Sequence, residues 1–114
     1  MAVPNLFANE YEISHPDKVQ EVINKAHTTP PEGMVSCLRA MANRPDRSYV
    51  AESVDFPVMF LLGKKDNLIS WQNVKTRYES PKIQFILLEN AGHMGMIEEK
   101  ELFCKCLFDF IVQK

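Results

Sequence analysis

The sequence predicts an α/β fold in which a helical segment over residues 1–53 precedes a parallel β-α-β-α unit over residues 54–114. Two continuous apolar runs, "PVMFLLG" and "KIQFILLE", are too short for helices of normal length and have the texture of strands in a parallel sheet. Between them Trp71, Val74 and Tyr78 recur at helical spacing. Up to about residue 53, by contrast, the apolar positions follow helical periods only.

The first helix is expected in "SHPDKVQEVINKAH". Pro16 and Asp17 suit a helix start, and Val19, Val22, Ile23 and Ala26 fall on one face. In "TTPPEGMVSCLRAMANRPDR", Thr29 and Glu32 have capping-box spacing with Pro30 at the first helical position, and Val35, Leu38, Met41 and Ala42 form a stripe. That helix should end near Arg44, because Pro45 disfavours helical geometry in the residue before it. Asp46 can cap a short third helix through "RSYVAES".

The first strand, Val58 to Leu62, lies between Pro57 and Gly63 and reads as buried on both faces. The turn "KKDNLIS", the helix with Trp71, and the second strand follow. The closing segment "EEKELFCKCLFDFIVQK" places Phe103, Leu107, Phe110 and Ile111 on one helical face, with acidic residues in the first turn, where the helix dipole favours them. Strand, helix, strand then forms a right-handed crossover unit, with the last helix packed back on the sheet. No internal repeat or low-complexity segment interrupts it.

At 114 residues the chain suits one domain, and a chain of this size buries about 65% of its unfolded surface. A 46% apolar fraction, 25% charged residues and a formal charge of -2 give no electrostatic reason for nucleic acid or an anionic membrane as partner. No apolar run approaches the roughly 18 residues of a membrane helix, and "MAVPNLFANE" lacks the basic start and apolar centre of a signal peptide, so a cytoplasmic protein is expected. Cys37, Cys104 and Cys106 are odd in number, and "CKC" in a helical pattern points to different faces, so buried thiols are expected rather than disulfides or a metal knuckle. His15 and His27 have no second ligand at helical spacing; no metal and no cofactor are expected. Met94 and Met96 read as core fillers.

Chemistry points to two other residues. In open parallel sheets reactive groups collect beyond the carboxyl ends of the strands, and Asp66 and His93 each follow such an end. Neighbouring strands lie about 4.8 Å apart, so two turns that lean inward bring these groups within hydrogen-bond reach. An aspartate there would accept the Nδ1 proton of the imidazole, fix its tautomer and stabilise the imidazolium formed when Nε2 takes a proton.

Gly63, Lys64, Lys65 and Asp66 form a G-x-x-D turn, and Gly92 and His93 open a G-H loop within the longer pattern A-G-H-x-G-x-x-E-E at Ala91 to Glu99. In these coupled motifs the chain resembles the α/β-hydrolases, over nearly its whole length from about Leu6. The resemblance implies that Asp66 and His93 are the catalytic acid and base, in the family's order of serine, acid, histidine. It also implies that residues 1–53 are the helical cap or lid segment and residues 54–114 the C-terminal β-α-β-α part of the hydrolase core.

One departure is large. The family's nucleophile lies in G-x-S-x-G on a strand-to-helix turn, with an oxyanion donor from an earlier loop, and this sequence has neither. The nearest imitation, "GMVSC" at Gly33 to Cys37, falls in the second helical stripe with no strand before it, so Ser36 is expected as a helix residue. The expectation is the C-terminal portion of a serine-type hydrolase of esters or related bonds, inactive alone. Its expected partners are a small ester-like substrate in the complete enzyme, and the missing N-terminal part or a second copy along the Val58 to Leu62 edge. The alternative is a truncated, non-catalytic binding or interaction domain. A different α/β enzyme in which His93 acts alone is disfavoured by the paired motifs.

Overall fold

A computed structural model of the chain describes residues 3–113; positions 1, 2 and 114 of the two sequence spans lie outside the described residues. A 3-10 turn, Val3–Leu6, leads into α1 (Asn9–Ser14), α2 (Pro16–His27), α3 (Pro31–Ala42) and α4 (Ser48–Ser53). Then come β1 (Val58–Gly63), α5 (Trp71–Arg77) and β2 (Ile83–Leu88), and α6 (Gly95–Glu98) and α7 (Lys100–Val112) close the chain. The strands pair in parallel, from Val58 opposite Ile83 to Gly63 opposite Leu88. A parallel pair needs a long crossover, which α5 supplies. Ser70 Oγ caps α5 by accepting from Asn73 N at 3.3 Å, and Phe60 stacks on both Phe85 and Tyr78, tying the ladder to the end of α5.

Several local expectations need correction. Helix α3 begins at Pro31, not Pro30, and the capping box does not form: Thr29 Oγ1 instead donates to Lys25 O. The cause is the second proline. A residue before proline is pushed to extended geometry, and Pro30 has φ −59°, ψ 140°. Asp46 does bind the start of α4, accepting from Ser48 N at 2.8 Å, although Arg47 occupies the cap position. Of the acidic residues expected in the first turn of α7, Glu101 lies there, whereas Glu98 and Glu99 precede it, because α6 intervenes and the helix is interrupted at Glu99.

Burial is shallower than the sequence suggests. The radius of gyration is 16.0 Å, against about 13 Å for a compact domain of this length. The accessible surface is 8482 Å², against ~6,400 Å² for a compact monomer of this mass, so about 55% of the unfolded surface is buried rather than about 65%. The difference has a clear location. Strand β1 is half-buried throughout, not covered on both faces, since β2 is its sole neighbour among the described residues. The α3 stripe is open, with Leu38 61% and Met41 67% exposed, and on α7 the expected apolar face splits: Phe103 and Phe110 are half-buried, whereas Leu107 and Ile111 are exposed. The thiols follow the helices that carry them, so Cys37 and Cys104 are exposed and Cys106 half-buried; all three are free.

The deepest packing is elsewhere. Phe7, Ala8, Leu88 and Ala91 are essentially inaccessible, which puts the core under the carboxyl end of the sheet. The sequence reading gave no element to residues 3–14, where the 3-10 turn and α1 now appear.

Candidate functional site

The turn after β1 and the loop after β2 touch backbone to backbone. Lys64 N donates to Leu88 O and Lys65 N to Ala91 O, each at 2.9 Å. Gly63 is required by this approach, because a Cβ there would lie 1.9 Å from Gly92 O. Two loops bonded in this way cannot drift apart without losing buried backbone hydrogen bonds.

Asp66 is held at both oxygens. Its Oδ1 accepts from Leu68 N at 2.8 Å and Ile69 N at 3.0 Å, an Asx-type turn of the kind "KKDNLIS" suggests, and its Oδ2 lies 2.9 Å from His93 Nδ1. The Asp66 side chain is 8% exposed and that of His93 37%. The two residues named from the sequence are thus in direct contact on one side of the sheet. A carboxylate only accepts, so Nδ1 carries the hydrogen and Nε2 of the neutral ring has a free lone pair. Among the described residues Nε2 has no hydrogen-bond partner. Such an imidazole can take a proton at Nε2 while Asp66 stabilises the resulting cation.

The His93 backbone is pinned at three consecutive amides. Gly92 N and Met94 N donate to Glu98 Oε2 at 2.8 and 3.2 Å, and His93 N donates to Leu6 O at 2.8 Å. The other Glu98 oxygen, Oε1, accepts from Ala8 N at 2.6 Å, Asn67 Nδ2 donates to Phe7 O, and Glu99 Oε2 accepts from Asn90 N. Residues 6–8 press so closely on the loop that a Cβ on Gly92 would lie 2.6 Å from Ala8 N. Burial pushes the Glu98 carboxyl above the usual glutamate value, the three amides pull it back down, and the Asp66 charge adds to the rise.

Sequence reasoning missed this support. It read Glu98 as an acid favourable to a helix dipole, and it gave Leu6, Phe7 and Ala8 no role. The first glutamate of A-G-H-x-G-x-x-E-E was the available signal, since a loop with buried amides and no ladder needs acceptors. For residues 6–8 a short apolar triplet carries no period to read.

The remaining candidates lie apart from the pair. Ser36 is exposed on α3 with its hydroxyl donating to Glu32 O at 2.8 Å, a back-bond within the helix. Beside the pair is a cavity of about 190 Å³, lined by Leu61, Ile69, Met96 and Phe103 as well as by Asp66 and His93. Met96, expected as a core filler, is 47% exposed on its rim. His15 and His27 are exposed, and no cluster of metal-ligating side chains occurs among the described residues. No helix among them is long and apolar enough to cross a membrane.

No protein-family model and no curated protein matches the sequence. Solved structures do match the fold. An esterase from Thermogutta terrifontis, bound to malate, superposes with a TM-score of 0.88 at 23% identity, covering 96% of this chain and 40% of that one. An esterase from Exiguobacterium antarcticum gives 0.75 at 19%, with 97% and 40% covered. An α/β-hydrolase enzyme from a Medee basin deep-sea metagenome library gives 0.80 at 17%, with 99% and 43% covered. The chain spans about 40% of the length of each of the two esterases, and its fold is part of an α/β-hydrolase fold.

Proposed function

We propose that this chain is the C-terminal portion of a serine-type α/β-hydrolase, supplying the acid Asp66 and the base His93 for hydrolysis of an ester or related bond. The observation that supports this most directly is the 2.9 Å contact between Asp66 Oδ2 and His93 Nδ1. The other Asp66 oxygen is occupied by two amides, and Nε2 has no partner among the described residues. Two of the similar structures described above are esterases, which favours an ester as substrate.

The mechanism follows from these atoms. A serine hydroxyl presented to Nε2 loses its proton to the ring as its oxygen attacks the substrate carbonyl, and Asp66 stabilises the imidazolium. The ring then returns that proton to the departing alcohol, leaving an acyl-serine. In the second half, water gives its proton to Nε2 and its oxygen to the acyl carbon, and the proton passes back to the serine. The serine and the oxyanion donors lie on sequence outside this chain in this reading, since Ser36 points its hydroxyl at its own helix. The helices before β1 form the cap that shapes the substrate pocket.

The partner is the remainder of the hydrolase fold, laid along the open edge of β1 from Val58 to Leu62; a second copy of this chain can occupy the same edge. Co-expression with a hydrolase N-terminal part carrying G-x-S-x-G tests both claims. Ester turnover should appear in the complex, and loss of the serine, loss of His93, or loss of both should cost nearly the same, because they act as a unit. Fully additive losses would reduce His93 to a pocket wall. A folded chain with a native mass of 13.1 kDa that is inactive on ester panels would select the non-catalytic interaction domain instead.

A further inference from the structure

We infer that Glu98 is a positioning residue for His93, acting as a clamp that fastens residues 6–8 and the two amides flanking His93 to one carboxylate. Glu98 Oε1 binds the N-terminal segment at Ala8 N, and Oε2 binds Gly92 N and Met94 N on either side of the base. His93 N in turn binds Leu6 O, so the segment held by Glu98 also holds the His93 peptide. Three amides in a row are thereby fixed. This leaves the imidazole only its own side-chain torsions, and places Nδ1 against Asp66 Oδ2.

A helix-start acid would not need this geometry. Glu98 ends a four-residue helix, and its bonds go to a loop and to a segment 90 residues away in sequence. Charge-assisted bonds from backbone amides to a carboxylate are the strong class of hydrogen bond, and here one side chain collects three. The titratable groups coupled to it are Asp66 and Tyr11.

This inference rests on the reading of Asp66 and His93 as acid and base, but its test reads the imidazole rather than turnover. Long-range proton–nitrogen NMR of the full chain reads which ring nitrogen of neutral His93 carries the hydrogen, with His15 and His27 as internal references. Glu98→Asp keeps the charge but shortens the reach by one methylene, so the clamp cannot span Ala8, Gly92 and Met94 together. Its share of the Nδ1–H form of His93 should fall by about half or more as the contact with Asp66 loosens, with His15 and His27 unmoved. Asp66→Asn should lower that share further, and adding Glu98→Asp to it should change little, because the two act through one contact.

A wild-type His93 tautomer ratio in Glu98→Asp would overturn the inference, as would a change in that ratio that adds in full to that of Asp66→Asn. Glu98→Gln guards against a folding defect: its effect on the ratio should again be largely absent in the Asp66→Asn background. If circular dichroism shows both Glu98 variants unfolded, Glu98 serves the fold alone and the inference is wrong. Absence of hydrolysis in any complex bears on the proposed function and leaves this result standing.

Discussion

Asp66 Oδ2 and His93 Nδ1 lie 2.9 Å apart although 27 residues separate them in sequence. The distance is set by backbone, not by the two side chains. Lys65 N bonds to Ala91 O, so the turn bearing the acid is anchored to the loop bearing the base two residues before His93. With Oδ1 occupied by Leu68 N and Ile69 N, Asp66 presents one defined oxygen to the ring.

Asp66→Asn in a reconstituted enzyme should leave KM nearly unchanged and lower kcat by about two to four orders of magnitude, because an amide that donates to Nδ1 favours the wrong tautomer. Steady-state kinetics on one ester substrate decide this. An unchanged kcat removes Asp66 from the mechanism.

The chain alone should show no serine-type ester turnover and should not behave as a single monomer. Strand β1 has one described neighbour, and Leu38, Met41 and Ile111 leave apolar surface open on α3 and α7. Light scattering during size-exclusion chromatography reads the mass. A monodisperse monomer with cooperative unfolding contradicts the structural half, and turnover abolished by His93→Ala contradicts the chemical half.

Gly63→Ala and Gly33→Ala should move stability in opposite directions. At Gly63 the new Cβ would meet backbone at 1.9 Å, which nothing flexible can relieve, and the cost is about 1–3 kcal/mol or more. At Gly33, on α3, the nearest atom is 3.8 Å away, and alanine gains about 0.4–1 kcal/mol from the unfolded chain. Denaturant unfolding of the two variants compares them directly. Equal midpoints would mean that the two loops are not in contact.

On acidification from neutral pH, Glu98 should take up its proton before Glu10 and Asp46. Burial holds Glu98 above the ordinary glutamate value, whereas the Lys65 ammonium bonded to Glu10, and the Ser48 hydroxyl and amide bonded to Asp46, hold those carboxyls below theirs. The stability consequences have opposite signs. Glu98's raised value favours the folded state below its unfolded value, and that gain is lost as pH rises through the folded one; Glu10 and Asp46 contribute above their unfolded values and lose this as pH falls through the folded ones. Carboxyl carbon NMR shifts give the order, and Glu98 titrating with or below Glu10 would show that its amide bonds outweigh its burial.

Some of this molecule is legible without coordinates because its cause is local. Short apolar runs bounded by Pro57 and Gly63 can be little but strands. A helical stripe between two such runs makes the pair parallel, and parallel strands bring the residues beyond their carboxyl ends together, so Asp66 and His93 could be named from spacing alone. Even the helical state of Ser36 follows from its neighbours.

What the sequence by itself determined is therefore the type and order of α2 to α5, of the two strands and of α7, and the proximity of Asp66 to His93, all of which depend on periodicity and on residues near in the chain. Tertiary structure decided the rest, because it turns on contacts between distant segments. Leu6, Phe7 and Ala8 have no period of their own and acquire a place only by docking under the loop of Gly92 and His93. Glu98 has an ordinary helix-start reading until the Ala8 amide is brought to it from 90 residues away. Burial went the same way: the stripes on α3 and α7 announce apolar faces, but whether a face is covered depends on what lies opposite, and periodicity within a helix carries no record of its partner.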